Sequence, residues 1–462
     1  MANRDFPAGM PCRVRAIWVN CAGMRMLHTP RDRGPACWAT VIGLTLAAGG
    51  AVAESPVDLA QRAGLQVFES RHLTLLTDRP RRATDSLDEL PRVFDQAFST
   101  WCRHYGLDPE QHASWRAVGC LMVDRERFRA AGLLPVDGAV PEFENGFCAA
   151  DRFWLMDQSN PDYRRHLLLH EGVHAFTLTL RAADAPPWYT EGIAEYLATH
   201  RLDRDSDVAG RFIATPIPGQ RADVEQLSRI EHLRQLHDTG QSPSLDAVFQ
   251  TAPQAHRALD AYAASWAAVA FLAGHPAYRD AFTATERKPL DQEFTNRLRA
   301  THGWSDAAAG RDFAAFVGDI DYGFEFDRMT IDWSPGQPPA AQESVTVAGG
   351  RGWQNTGWSL AKDQRISFTA SGRITVGQAS ACPLRSSPEG ITLRWYRGWP
   401  IGRLLIAQWV EPDDGGSPSF RILAEGSSGT ITAAATGPLY LKLNENPGEL
   451  ADNAGNYDVT LK

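Results

Sequence analysis

Five side chains in a short stretch of this 462-residue chain have the types and spacing of a metal-dependent hydrolytic site. The segment HEGVH begins at His170 and ends at His174, and the downstream segment WYTEGIAEY contributes Glu191 and Glu195. Histidines four residues apart lie on one face of a helix, so both imidazoles can bind one Zn²⁺ with Glu171 beside the open coordination position. These residues predict a zinc site that activates water.

A helix must carry both histidines for this geometry to exist. Asn160, Pro161 and Asp162 form a start signal with proline at the first helical position, and apolar residues continue the helical pattern through residues 163–180. We therefore expect HEGVH in the middle of a helix.

A second helix is expected after Pro186 and Pro187, because paired prolines interrupt the first one. Glu191 and Glu195 lie one turn apart on it. A catalytic zinc site uses three protein ligands, so we predict Glu191 as the third ligand. Glu195 is predicted to accept a hydrogen bond from a ligand imidazole. Gly192 is expected to let the two helices approach closely.

Structural roles are the alternative for each of these residues. The histidines could belong to the core or surface of an amphipathic helix, and the glutamates could form a solvated helix face. His166, one turn before His170, is predicted to be an ordinary, partly exposed histidine. Tyr189, Tyr196 and Tyr262 could donate a hydrogen bond to an oxyanion or simply pack, and Tyr262 is the selected catalytic candidate.

The two segments HEGVH and WYTEGIAEY together resemble the gluzincin metallopeptidases, most closely the peptidase MA-like domains of secreted bacterial proteins. The resemblance extends over residues 73–282. It implies a zincin-like fold, Zn²⁺ bound by both motif histidines and Glu191, and peptide hydrolysis with Glu171 as general base. Sixteen residues separate His174 from Glu191, slightly fewer than in the aminopeptidase and thermolysin branches. Glu195 is therefore the alternative ligand.

Composition and charge limit the possible partners. With 43% hydrophobic and 22% charged residues the chain can bury large cores, and a net charge of −9 with scattered basic residues argues against a nucleic-acid partner.

Arginines precede an apolar stretch that ends in AVA, so residues 1–53 are interpreted as a signal peptide, with Met24 or Met26 as alternative starts. An uncleaved anchor is the alternative. We expect a periplasmic or secreted bacterial protein without a stable membrane span, acting on a peptide or protein substrate.

The sequence predicts an α+β metallopeptidase domain followed by an all-β sandwich. The first covers residues 54–333, a Pro/Gly-rich linker covers 334–341, and residues 342–462 alternate β-branched runs with turns. A hairpin is predicted before the motif helix. The gluzincin resemblance implies that the edge strand beside this helix pairs with an extended substrate backbone, and residues 146–149 are the candidate for that strand. An edge strand that pairs with nothing is the alternative.

Oxygen donors crowd the segments NENPGE and DNAGNY near the C-terminus. With nearby strand motifs, these segments resemble the calcium-dependent, galactose-binding bacterial lectins of the PA-IL type. The resemblance implies one bound Ca²⁺ and a carbohydrate or glycoprotein partner. Its ligands would be Glu445, the carbonyl of Glu449, Asp452 and Asn453. Ser387 occupies the place of the family's sugar-contacting histidine, so the fold is better supported than sugar binding. A simple polar turn is the alternative.

Two functional classes follow from these patterns. The first is a secreted zinc metallopeptidase whose β-sandwich targets, positions or stabilises it. The second is a non-catalytic adhesion or scaffold protein that binds zinc or carbohydrate and whose peptidase domain is degenerate. Glu171 favours the first class, because a scaffold has no physical need for a general base beside its metal.

Overall fold

The computed structural model describes residues 54–80, 87–135, 140–203, 210–224, 229–252, 259–339, 342–379, 382–412 and 416–462. The predicted signal peptide, with the alternative starts Met24 and Met26, lies outside the described residues. Within them, no helix is both long enough and apolar enough to cross a membrane. Helices and several sheets are combined, as predicted, and the sheets of the C-terminal region form a sandwich-like pair.

Among the described residues, α-helices are confined to the N-terminal region and most strands belong to the C-terminal region. The helices are α1 (Pro56–Arg62), α2 (Glu89–Tyr105), α3 (Arg125–Ala130), α4 (Pro161–Leu180), α5 (Pro187–Ala198), α6 (Arg229–Asp238), α7 (Leu245–Phe249), α8 (Leu259–Gly274), α9 (Arg279–Glu286), α10 (Phe294–Arg299), α11 (Asp306–Asp319) and α12 (Phe326–Met329). The N-terminal strands are β1 (Gln66–Glu69), β2 (Leu73–Thr77), β3 (Ala117–Met122), β4 (Gly146–Ala149), β5 (Arg152–Met156), β6 (His200–Asp203) and β7 (Arg211–Ala214). The C-terminal strands are β8 (Glu343–Ala348), β9 (Gln354–Leu360), β10 (Arg365–Ala379), β11 (Cys382–Ser386), β12 (Glu389–Tyr396), β13 (Trp399–Val410), β14 (Ser419–Glu425), β15 (Ser428–Thr432), β16 (Gly437–Leu443) and β17 (Asn453–Leu461).

A five-stranded sheet lies beside the motif helix, in the order β1-β2-β3-β5-β4. Strands β2, β3 and β5 are parallel, whereas β1 and β4 pair antiparallel at the two edges. Strand β2 has the sequence LTLLT and is buried along its whole length, as expected of a central strand covered on both faces. The predicted hairpin is present, and its strand β4 is an edge strand that packs on α4.

An aromatic core fixes helix α4 against helix α2. Trp101 of α2 meets Phe176 of α4 edge-to-face with ring centroids 5.8 Å apart, and Phe98 meets the same ring at 5.8 Å. All three side chains are fully buried. Each such burial contributes about 1.5–3 kcal/mol, so the position of α4 is determined by packing at some distance from the candidate site.

The two predicted helix starts are confirmed. The side chain of Asn160 accepts a hydrogen bond from the backbone N–H of Tyr163 at 2.8 Å and caps α4, whose second half contains HEGVH. Helix α5 begins at Pro187, where the ring fixes a helical φ and no N–H donor is lost. Sequence signals for helix starts are local, which explains their agreement with the structure.

Gly192 permits a close helix approach, but to α8 and not to α4 as predicted. A Cβ atom at this position would lie 2.7 Å from Cγ2 of Val269 and closer still to the carbonyl oxygen of Ser265. The predicted partner was wrong because α5 lies between two helices. Its glutamates face α4, so its glycine is left to face α8.

Two antiparallel five-stranded sheets form the C-terminal sandwich. One has the order β11-β10-β17-β8 with β15 on β10, and the other has the order β12-β13-β16-β9 with β14 on β13. Their inner faces share a buried core that includes Trp358, Phe368, Leu404 and Tyr457. The alternation of apolar and polar residues predicted this arrangement of two facing sheets.

Candidate metal centre

Helices α4 and α5 bring His170, His174 and Glu191 together. The Nε2 atoms of the two histidines lie 3.1 Å apart. Oε2 of Glu191 lies 3.4 Å from Nε2 of His170 and 3.6 Å from Nε2 of His174. All three side chains are buried, and the group could hold a metal ion. We call these three residues the metal centre.

The spacing within the metal centre fits a tetrahedral ion. Ligand atoms about 2.0–2.1 Å from zinc lie about 3.3–3.4 Å from one another at tetrahedral angles. The observed separations of 3.1, 3.4 and 3.6 Å bracket that value. In the part of the chain that the structure describes, Oε2 of Glu191 is buried without a hydrogen-bond partner. Such an oxygen costs free energy unless a cation or donor satisfies it, so the donor set fits a bound metal.

Glu195 lies behind the metal centre, where the sequence placed it. Its Oε1 atom is 3.3 Å from Nδ1 of His170. This contact favours the tautomer with the proton on Nδ1, which leaves the lone pair of Nε2 directed at the metal centre. Both ring nitrogens of His170 therefore have a role.

Two further side chains hold the carboxylate of Glu195. Arg229 donates from Nη2 to Oε1 at 2.9 Å and from Nε to Oε2 at 3.2 Å. Nε2 of His166 lies 3.3 Å from Oε2. His166, His170 and Glu195 form a second group that could hold a metal ion. Because Glu195 is already paired with a buried guanidinium, the group around Glu191 has the more available oxygen.

The structure departs from the sequence-based prediction at two residues, His166 and Arg229. His166 was predicted to be partly exposed, yet it is 7% exposed and pairs with Glu195, so that prediction is wrong. Its partner comes from another helix, which residue spacing along α4 cannot reveal. Arg229 was not identified at all, because it begins α6 and no local motif connects it to α5.

The electrostatics of the cluster favour a cation. Burial opposes the charged form of His170, but the nearby carboxylates of Glu191 and Glu195 raise its pKa to about 10. Burial likewise opposes ionisation of both carboxyls, yet cationic neighbours hold their pKa values well below the usual range. The largest such effects come from His174 for Glu191 and from Arg229 for Glu195. Two ionised carboxylates thus face the imidazoles, and this field attracts a proton or a metal ion.

Glu171 occupies a different face of α4 and lies under the edge strand β4. A Cβ atom on Gly146 would be 2.9 Å from Cδ of Glu171 and closer still to Oε1. A side chain at position 146 would therefore displace the carboxylate of Glu171. Glu171 is fully buried, and its carboxylate lies between the metal-centre helix and the strand edge predicted to receive a substrate.

The structure separates the three tyrosine candidates. The ring centroid of Tyr262, on α8, lies 6.3 Å from that of His170. The guanidinium carbon of Arg229 lies over the same tyrosine ring, 5.8 Å from its centroid. Tyr189 instead donates to Glu286 at 2.9 Å, and Tyr196 lies 6.1 Å from the ring of His104. Tyr262 is therefore the tyrosine that borders the metal centre.

The predicted calcium ligands are only partly brought together. Glu445 is buried, and its Oε2 atom and Oδ1 of Asn453 are buried without hydrogen-bond partners among the described residues. Burial, followed by the charge of Glu449, raises the pKa of Glu445 to about 8. The side chain of Glu449, however, forms an ion pair with Arg394, and Asp452 is exposed. Within the described residues, the groups of at least three histidine, cysteine or acidic side chains that could hold a metal do not include Glu445, Glu449 or Asp452.

Comparison with known proteins gives two findings. A family model described as "Protein of unknown function (DUF1570)" matches residues 165–291, which include both motif segments, Arg229 and Tyr262. Among solved structures, a chain described as the EclA N-terminal domain, a PllA-like lectin, is 21% identical over 26% of this chain and 92% of its own length, with a TM-score of 0.19. No curated protein matches the chain.

Proposed function

We propose that this protein is an extracytoplasmic zinc metallopeptidase. The observation that carries the proposal is the convergence of two imidazole nitrogens and one carboxylate oxygen at 3.1 to 3.6 Å, with Glu171 on the adjacent face of the same helix. A buried set of two histidines and one glutamate is a ligand set of catalytic zinc sites that keep a fourth position open. When bound, Zn²⁺ lowers the pKa of a water in its open position and polarises a substrate carbonyl.

The residues around the metal centre have distinct roles in this proposal. His170, His174 and Glu191 hold the ion, and Glu171 accepts the proton of the attacking water and later delivers it to the leaving amine. Tyr262 is assigned to donate its hydroxyl to the developing oxyanion. Proton transfer by a positioned group typically accelerates a reaction by about 10²–10⁴-fold, which sets the expected cost of losing Glu171.

Glu195 and Arg229 position the ligands without reaching the substrate. Glu195 fixes the tautomer and ring orientation of His170, and Arg229 holds the carboxylate of Glu195 through two hydrogen bonds. Such outer contacts raise the basicity of a ligand histidine. The fully buried position of Glu195 means that its charge depends on Arg229 for compensation.

A peptide substrate would add to the edge of the five-stranded sheet. Among the described residues strand β4 pairs with β5 alone, and Gly146 of β4 faces the carboxylate of Glu171. Backbone hydrogen bonds between β4 and an extended substrate would place a scissile carbonyl beside the metal centre. This geometry requires no particular side chain from the substrate, so cleavage of unstructured protein segments is expected.

The test compares the full-length protein with its Glu171→Gln variant. The amide is isosteric with the carboxylate but cannot accept the proton, so the variant should retain zinc and lose about 10²–10⁴-fold in kcat on an unfolded generic protein substrate. Glu110→Gln changes an exposed carboxylate that is not part of the metal centre, and it serves as the control. Hydrolysis by Glu171→Gln at the wild-type rate would reject the mechanism, and zinc binding without any wild-type hydrolysis would favour the scaffold alternative.

A second candidate function concerns the C-terminal sandwich, for which we propose calcium binding and, through it, contact with carbohydrate. The observation that favours it is the pair of buried, unpartnered oxygens on Glu445 and Asn453 within the described residues. Carboxylate and amide oxygens are ligands that calcium prefers. The side chain of Glu449 does not take part, since its predicted contribution is a backbone carbonyl.

A further inference from the structure

Helix α6 carries Arg229, whose guanidinium holds Glu195 behind His170, yet the hydrophobic core fixes this helix at few points. Two residues of α6, Ile230 and Leu233, are buried. Two buried side chains on one face set a helix against the core, but they leave its sliding and rotation to be limited by other contacts. The polar contacts of α6 therefore matter for where the Arg229 guanidinium lies.

A buried aspartate just beyond the end of α11 makes one of these polar contacts. Nη1 of Arg234, on α6, donates to Oδ2 of Asp321 at 2.9 Å. The hydroxyl of Tyr396, the last residue of β12, donates to the same oxygen at 3.0 Å. The side chain of Asp321 is 5% exposed, so its charge depends on such donors for compensation. One carboxylate thus joins α6 to the sandwich.

The turn that follows β12 holds the segment before Asp321. Arg397, in this turn, donates from Nη1 to the carbonyl oxygen of Gly318 at 2.7 Å and from Nη2 to that of Ile320 at 3.2 Å. Backbone carbonyls held by one guanidinium fix the course of the chain as well as its side chains. The sandwich therefore sets the position from which Asp321 meets α6.

A second link between α6 and the sandwich runs through Tyr322. Its hydroxyl donates to Oε1 of Glu231, on α6, at 3.2 Å. Its backbone lies against that of the sandwich, because a Cβ atom on Gly448 would be 2.7 Å from Cα of Gly323 and closer still to the carbonyl oxygen of Tyr322. Two neighbouring residues, Asp321 and Tyr322, thus connect α6 with the C-terminal region.

We propose that Asp321 is a positioning residue of the metal centre, through which the sandwich fixes α6 and directs Arg229 to Glu195. The inference rests on the proposed zinc site and gives the C-terminal region a role in it that requires no ligand of the sandwich. Each step is one direct contact: Tyr396 with Asp321, Asp321 with Arg234 of α6, Arg229 of α6 with Glu195, and Glu195 with His170. Loss of the Asp321 charge should let α6 shift, weaken the hold on Glu195 and lower the affinity for zinc.

The experiment measures the zinc affinity of the full-length chain by competition with a chromogenic chelator. Asp321→Asn keeps the shape of the side chain and removes its charge, so zinc binding should weaken about threefold to tenfold. This loss is smaller than the about 10–100-fold expected when a direct partner of a ligand histidine is removed. Tyr396→Phe removes the donor that the sandwich supplies and should weaken zinc binding about threefold.

Asp312→Asn is the matched control. This aspartate of α11 accepts hydrogen bonds from Tyr278 and from Trp333, and Trp333 packs on Trp409 of the sandwich. Among the described residues, none of its hydrogen bonds goes to α6. The substitution therefore disturbs the same junction between the two regions, and it should leave the zinc affinity unchanged.

Two further measurements separate positioning from a general loss of stability, and thermal melts establish that each variant is folded. Asp321→Asn combined with Arg229→Gln should weaken zinc binding no more than Arg229→Gln alone, because both substitutions act through Glu195. With Co²⁺ in place of zinc, the visible absorption bands report the geometry of the ligands. Their intensity should change in Asp321→Asn and stay the same in Asp312→Asn.

The inference is overturned if Asp321→Asn binds zinc like the wild type, if Asp312→Asn weakens binding equally, or if the effects of Asp321→Asn and Arg229→Gln add. A wild-type chain that binds no zinc would instead reject the metal centre itself, and this inference with it.

Discussion

The metal centre and the acidic loop of residues 445–453 both contain buried carboxylate oxygens without hydrogen-bond partners among the described residues, yet only the first brings at least three histidine, cysteine or acidic side chains together. At the metal centre, the ligand atoms come from α4 and α5 and lie within 4.8 Å of one another. In the acidic loop, Glu445 is buried while the side chain of Glu449 turns to Arg394.

The difference follows from the secondary-structure elements that carry the ligands of each site. Two long helices, packed through Phe176 and Gly192 against the core, fix the positions of His170, His174 and Glu191. The acidic loop contains one short 3-10 helix, Leu450–Asp452, and otherwise consists of turns. Side chains on rigid elements can be held at ligand distance before a metal arrives, whereas loop donors can be drawn together by the ion itself.

The largest expected effect distinguishes a ligand from its support. Glu191→Ala removes one of three protein ligands and should weaken zinc binding more than about 100-fold, whereas Glu195→Ala should weaken it about 10–100-fold because it only orients His170. Competitive titration with a chromogenic zinc chelator measures both affinities. Equal or reversed losses would transfer the ligand role to Glu195.

A smaller effect tests the position of Glu171 under the edge strand. Gly146→Ala introduces a Cβ that overlaps the carboxylate, so kcat should fall about 10–100-fold while zinc affinity is unchanged. Ala149→Val, at the other end of β4, is the matched control and should remain active. If Gly146→Ala retains full activity, Glu171 does not depend on the strand for its position.

The smallest effect concerns the acidic loop. If calcium neutralises its oxygens, millimolar calcium should raise the Tm of the full-length chain by a few degrees, about 2–4 °C, through preferential binding to the folded state. Asp452→Ala should abolish that increase, and Asp458→Ala, at an exposed carboxylate on β17, should preserve it. An identical Tm with and without calcium would leave the loop as a polar turn.

The sequence predicted those features of the centre that depend on local spacing. The positions of His170 and His174 on one helix face, and of Glu191 and Glu195 one turn apart, follow from helical periodicity alone. The hairpin before the motif helix followed from a local strand pattern, and the edge position of residues 146–149 from the resemblance to gluzincins. These predictions did not require knowledge of which elements meet in space.

Features that depend on tertiary contacts were beyond the sequence. His166 was assigned to a partly exposed position because its partner Glu195 lies on another helix. Arg229 gave no signal, since nothing along the chain shows that α6 delivers a guanidinium to that carboxylate. Gly192 was correctly marked as a close-contact residue but was assigned the wrong neighbour, because a glycine indicates proximity without identifying the facing helix.

Zinc content measured on the full-length protein tests the central claim most directly. Purified chain dialysed against micromolar zinc and analysed by plasma mass spectrometry should contain one zinc ion per chain, and the His170→Ala/His174→Ala double variant should contain none. His104→Ala, at a histidine that pairs with Glu286 away from the metal centre, should retain the ion. Absence of zinc from the wild-type chain, or equal zinc in the double variant, would contradict the assignment of the metal centre.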